Sequence, residues 1–142
     1  MDIPVPYVPQ TDGRPEQGYA GTPEPMNMLV VDDESEICLL LQAILTRNGV
    51  TSSSAHTLAE ARACMATNTF DGVFLDVNLP DGRGYELIPD LRKQHPGIRV
   101  IAISAMDDER AKALNAGADL FIPKPLDLRT ILGSLDRTGL LA

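Results

Sequence analysis

Four short apolar runs, MLVV over 28–31, VFL over 73–75, VIAI over 100–103 and LFI over 120–122, constrain this chain more than any other feature of it. None alternates with polar residues. A strand with one wet face must alternate, so each run is expected to be buried on both faces, as in a parallel sheet covered by helices. A fifth run, VTSSSA over 50–55, is polar enough to predict an edge strand.

Helical patterns separate the runs. Ile37, Leu40, Leu41, Ile44 and Leu45 fall at helical spacing and predict a first helix with one apolar face. Leu58, Ala61, Arg62 and Met65 mark a shorter second helix, and Gly49 and Gly117 read as helix stop signals. GYELIPDLRKQ over 84–94 predicts a third helix with a late start or a kink at Pro89. A proline in a helix interior costs up to about 3 kcal/mol. DDERAKALNAG over 107–117 predicts a fourth helix. DLRTILGSLDR over 127–137 predicts a fifth, with Leu128, Ile131, Leu132 and Leu135 facing inward. Strand and helix thus alternate five times. The expected fold is α/β: a flavodoxin-like, doubly wound, five-stranded parallel sheet of strand order 2-1-3-4-5 with five helices. Ligands of such sheets bind beyond the carboxyl ends of the strands, where the strand order reverses.

Outside this unit, residues 1–25 carry six of the eleven prolines and no apolar periodicity. They are expected to form an extended or disordered tail, followed by a domain over 26–138 and a short C-terminal tail over 139–142. The net charge of −8 opposes binding nucleic acid through the whole surface and favours a basic protein partner. Cys38 and Cys64 lack CxxC spacing and read as reduced, packed thiols. His56 and His95 fit no ligand pattern and read as loop histidines. No stretch approaches the ~18 apolar residues of a membrane span. The N-terminus lacks the basic-then-apolar order of a signal peptide. These features predict a cytoplasmic protein without membrane contact.

The chemistry lies in the residues that end the central strands. The first ends in Asp32 and Asp33, the third in Asp76, the fourth in Ser104, and the fifth in Lys124. Each has a bland explanation. Asp33, Glu34 and Ser35 suit the start of a helix, SAMD over 104–107 has capping-box spacing, and Asp76 and Lys124 suit turns. None of these explains why three carboxylates should share one edge. Close carboxylate pairs repel by roughly 4 kcal/mol each at an effective dielectric of 20. Lys124 offsets part of that and a divalent cation offsets the remainder. All-oxygen ligation suits Mg²⁺ better than a transition metal. A metal so placed attracts phosphate oxygens, and Asp76 becomes a carboxylate nucleophile of the aspartyl-phosphate kind.

LVVDDE, DVNLPDGRG, ISA and FIPKP together resemble the motifs of the receiver domain of bacterial two-component response regulators, the CheY-like domain, from about Met26 to Arg137. The resemblance implies that Asp76 is the phosphoacceptor. It implies Mg²⁺ ligation by Asp33, Asp76 and the backbone carbonyl of Asn78, with Asp32 acting through water. Lys124 and Ser104 would contact the phosphoryl group, Phe121 would be the aromatic switch, and the Lys124–Pro125 peptide would be cis. Phe121 lacks the hydroxyl that many relatives carry there, so a switch must act through ring position. Asn78 and Met106 stand where the family tunes phosphoryl loss.

The implied function is a phosphoacceptor in a phosphorelay, stand-alone or part of a longer regulator. The implied partners are a sensor histidine kinase or histidine phosphotransfer protein and a downstream protein target. Direct nucleic-acid contact is not expected. Output would pass through the fourth helix, fifth strand and fifth helix, a face compatible with a homodimer. No enzymatic activity is implied beyond self-catalysed phosphorylation and dephosphorylation. A haloacid-dehalogenase-type phosphohydrolase shares the Asp nucleophile, Ser/Thr, Lys and Mg²⁺ but needs a second Asp where Asn78 stands. Asn78 cannot protonate a leaving group. A phosphate-independent interaction module of the same fold is the other alternative.

Overall fold

The computed structural model describes residues 25–141; the expected N-terminal tail, but for Pro25, lies outside them. The apolar runs form five parallel strands: β1 (Asn27–Val31), β2 (Thr51–Ala55), β3 (Gly72–Asp76), β4 (Arg99–Ser104) and β5 (Leu120–Pro123). Their spatial order is β2-β1-β3-β4-β5, as the sequence predicts. A two-stranded antiparallel pair, Asn78–Leu79 with Gly82–Arg83, follows β3 as a separate ribbon.

Side chains alternate between the two faces of each strand, and both faces are dry. One face collects Met28, Val30, Phe74, Ile101 and Ile103 beneath helices α1 (Ser35–Arg47) and α5 (Leu128–Arg137). The other collects Leu29, Val31, Val73, Leu75 and Val100 beneath α2 (Leu58–Thr67), α3 (Ile88–Gln94) and α4 (Glu109–Asn115). This explains why the strand runs do not alternate. β2 lies at an edge, where its serines are only half-buried.

Several helix details depart from the sequence reading. Leu40 is exposed and Cys38 takes its place on the buried face of α1 with Leu41, Ile44 and Leu45. Leu128, expected inward, is exposed; Ile131, Ser134 and Leu135 form the buried face of α5. Leu40, in the second turn of α1, lies off the stripe that Cys38, Leu41, Ile44 and Leu45 bury, and Leu128 is the first residue of α5, ahead of the turn that Ile131 opens on the buried face. Pro89 delays the third helix. The chain makes a 3₁₀ turn over Gly84–Leu87 and starts α3 at Ile88, which places the proline in the first turn where its missing N–H is not needed. α4 is shorter than expected, because Ser104 does not cap it and Asp108 occupies its N-cap. His95 is buried beside Phe70 rather than loop-exposed, its Nδ1 3.5 Å from the Phe70 N–H. Both cysteines are free. Among the described residues no helix is long and apolar enough to cross a membrane.

Leu140, which the sequence places in a C-terminal tail, is buried. It joins the core beneath α1 and α5 and packs on Gly72, where an added Cβ would come within 2.6 Å of its Cδ1. The chain can turn back into the core because Gly139 adopts a left-handed φ of 73°. Leu140→Ala is therefore expected to destabilise the fold by about 3 kcal/mol, as removal of a core leucine does. Urea unfolding checks this, and an unchanged midpoint would mean the core ends at α5.

Candidate functional site

The parallel register brings the carboxyl ends of β1, β3, β4 and β5 to one edge of the sheet. Asp32 follows β1 and is fully buried; Asp76 ends β3 with 4% of its surface exposed; Asp33 faces solvent. Carboxylate oxygens of the three lie within 4.8 Å of one another. Asp33 and Asp76 line a pocket of about 500 Å³ together with Glu34, Asn78, Ala105, Lys124 and Pro125, and Asp32 lies buried behind it.

Gly84 fixes the height of Asp76. Its N–H donates to the Val77 carbonyl at 2.7 Å, and an added Cβ would stand 1.9 Å from the Asp76 carbonyl oxygen. The loop after β3 is also tied to α2. The Asp81 carboxylate accepts the Leu58 and Ala59 N–H groups at 2.8 and 3.1 Å, which holds its carboxyl below the usual range.

Lys124 enters from β5, its N–H donating to the Ser104 carbonyl at 2.8 Å, and the peptide to Pro125 is cis. Its ammonium lies 2.9 Å from Asp32, 2.9 Å from Glu34 and 3.5 Å from Asp76. Burial pulls the Lys124 pKa down, but the Asp32 and Glu34 contacts outweigh it and the net shift is upward. Asp76 is also shifted upward from a free carboxyl. Burial and the Asp32 charge raise it to about 7, against the pull of Lys124 and the Asn78 N–H.

One ammonium therefore does not neutralise the cluster. Asp32 Oδ1 accepts the Glu34 N–H at 2.8 Å, but buried Asp32 Oδ2 accepts no hydrogen bond and has only the ion-pair contact with Lys124. Three carboxylates within 4.8 Å of one another, one ammonium among them and a solvent-open side fit a hard divalent cation that keeps waters. Mg²⁺ meets that description.

Ser104 is fully buried at the end of β4. Its Oγ accepts from the Met106 N–H at 3.1 Å and the Asn78 Nδ2 at 3.4 Å. Both contacts donate to the oxygen, so the hydroxyl hydrogen stays available to an incoming acceptor. Phe121 stands apart from the pocket. It is already packed inward in the core of the α2–α4 face, with the Arg110 guanidinium 4.7 Å from its ring centroid.

Of the residues singled out in the sequence, the structure gathers Asp32, Asp33, Asp76, Asn78, Ser104, Lys124 and Pro125 at one edge and leaves Phe121 one layer away. Sequence reasoning missed Glu34 as a partner of Lys124, having taken it for helix-start chemistry. It also missed Arg83 and Glu109, which pair across 3.5 Å beside Asn78. They are 26 residues apart, one in the ribbon after β3 and the other opening α4, and no local pattern links them.

The chain matches the family model described as response regulator receiver domain over residues 28–136. It is 40% identical over 102 residues to the response regulator protein PilR of Pseudomonas aeruginosa, covering 70% of this chain and 23% of that protein. It is 40% identical over 104 residues to the KDP operon transcriptional regulatory protein KdpE of Escherichia coli, covering 72% of this chain and 46% of KdpE. The chain thus spans less than half of the curated relatives named here. A Burkholderia pseudomallei response regulator, crystallised with a phosphorylated aspartic acid, calcium ion and citrate, superposes with a TM-score of 0.71. It is 28% identical, covering 78% of this chain and 66% of that one.

Two outcomes test this geometry. Without metal, the raised Asp76 carboxyl opposes folding, because the unfolded chain binds fewer protons than the native one between about pH 4 and about pH 7. Asp76→Asn is therefore expected to melt higher than wild type by about 3 °C or more above about pH 7 in EDTA. The gap should vanish below about pH 4, where both states of wild type are protonated. Gly84→Ala is expected to lose at least about 2 kcal/mol in urea unfolding, since backbone must shift to admit the methyl group. Gly133→Ala, on open helix surface, should gain about 0.5 kcal/mol.

Proposed function

The chain belongs to the response regulator receiver domain family, and from that premise we propose that it accepts a phosphoryl group on Asp76. The supporting observation is a nearly buried carboxylate at the end of β3 that shares a pocket with two further carboxylates and Lys124. The phosphorylated aspartic acid of the Burkholderia regulator supports the same reading.

Mg²⁺ would be held by Asp33, Asp76 and the Asn78 carbonyl, with Asp32 acting through water, and it supplies charge neutralisation for the phosphoryl oxygens. The rest falls to the chain's own residues. Burial gives the Asp76 carboxylate a single open side. Its oxygen bonds to phosphorus as the bond from phosphorus to the donor nitrogen of a phosphohistidine breaks. Lys124 leaves Glu34 and Asp32 to pair with the new dianion, the one ammonium contacting all three acids. Ser104 donates its free hydroxyl hydrogen to a phosphoryl oxygen.

Phosphorylation turns one negative charge into nearly two and adds strong acceptors. A shift of Ser104 frees space beside β5, and the Phe121 ring and its Arg110 cover respond through the start of α4. Output then passes through α4, β5 and α5, where Leu114 and Leu128 are exposed. The domain is a signalling unit rather than a classical enzyme, its chemistry limited to gaining and losing its own phosphoryl group. The unit runs from Met26 through the buried Leu140.

The donor is a sensor histidine kinase or a histidine phosphotransfer protein, and the output is a protein target or a second copy of the chain. A transcriptional output is the second reading, carried by the printed name of KdpE. Direct DNA contact by these residues stays disfavoured by the charge of −8.

Intact mass after incubation with acetyl phosphate tests the reading. Wild type is expected to gain one phosphoryl group only with Mg²⁺, and Asp76→Asn none. No gain in wild type would shift the assignment to a phosphate-independent interaction module.

A further inference from the structure

Glu109 is the first residue of α4 and only 3% exposed, yet its Oε2 has no hydrogen-bond partner. A buried carboxylate persists only with a cation beside it. Among the described residues the cation within ion-pair distance is Arg83, 3.5 Å from Oε1. Arg83 comes from the loop after β3, and the same guanidinium nitrogen donates to the Asn78 Oδ1. The Asn78 Nδ2 faces the Ser104 Oγ at 3.4 Å and the Met106 sulfur at 3.9 Å. A continuous polar chain thus runs from the start of α4 to the rim of the Asp76 pocket.

We propose that Arg83, anchored by Glu109, is a positioning residue that sets the lifetime of a phosphoryl group on Asp76 by occupying the Asn78 carboxamide. This rests on the reading of Asp76 as the phosphoacceptor. In hydrolysis a water oxygen bonds to phosphorus while the bond from phosphorus to the Asp76 oxygen breaks. The carboxylate is restored and inorganic phosphate leaves with the protons of the water. A carboxamide beside the pocket can orient that water only if its acceptor oxygen is free. Here Arg83 engages the oxygen, and Ser104 and Met106 engage the amide. Releasing Arg83 frees the acceptor and speeds hydrolysis. Because Glu109 opens α4, the same contact links phosphoryl lifetime to the seating of that helix, and such coupling is reciprocal.

The test uses the full chain labelled with acetyl phosphate and Mg²⁺, then freed of donor, with phosphoryl loss followed by intact mass. Arg83→Gln and Glu109→Gln are each expected to speed loss by at least about threefold. The double variant should lose it no faster than the quicker single one, because both changes release the same carboxamide. Before any donor is added, both single variants should move the Asn78 side-chain amide resonances in the same direction. Glu109→Gln keeps the side-chain shape, and thermal melts confirm folding. Labelled variants that lose the group at the wild-type rate, multiplied rates in the double variant, or an unmoved Asn78 amide would each overturn the proposal alone. A wild type that accepts no phosphoryl group overturns the reading of Asp76 and this proposal with it.

Discussion

Three carboxylates at one end of the sheet face one ammonium, and this charge imbalance governs the site. Lys124 is held near Asp32, Glu34 and Asp76 at once, so it belongs fully to none of them. Asp76 answers by holding its proton toward neutral pH, with burial the larger cause and Asp32 the second. Asp32 keeps a buried oxygen without a hydrogen bond. Each is what an anionic pocket does when its countercharge is incomplete. A site in this condition is poised to take up positive charge and to change when its own charge changes.

The sheet makes that imbalance tolerable. Asp76 and Asp32 extend from strands whose inward side chains are packed on both faces, so the carboxylates cannot splay apart without dragging β1 and β3 out of register. Gly84 closes on the Asp76 carbonyl from one side. Asp81 pins the intervening loop to the start of α2. The backbone therefore absorbs a repulsion that flexible loops would relieve by moving. Rigid support for a strained constellation is also what a switch requires, since a compliant pocket would dissipate a change of charge locally.

Two layers connect the pocket to the surface. The first is polar, from Ser104 and Asn78 through Arg83 to Glu109 at the start of α4. The second is apolar, with Phe121 buried from β5 and covered by Arg110 of α4. Both reach the first turns of the same helix. α4 is short, begins without a side-chain cap and buries a carboxylate with one oxygen, Glu109 Oε2, left without a hydrogen bond, features of a weakly anchored element.

Much of this was legible before any coordinates. Unalternating runs required a sheet covered on both faces, helical spacing supplied the crossovers, and right-handed connections set the strand order. The residues ending the strands then had to share an edge. Those inferences rest on period and polarity, which are local. Leu40 and Leu128 misled because apolar spacing outlines a helix face without saying which of its members the packing covers. Leu140 was invisible because its burial depends on the room above Gly72. The sequence by itself determined the fold class and that Asp32, Asp33 and Asp76 share one edge of the sheet. Only the tertiary structure decided that Glu34 shares Lys124 and that Arg83 bridges Asn78 to Glu109, because such pairings depend on distances between loops remote in the chain.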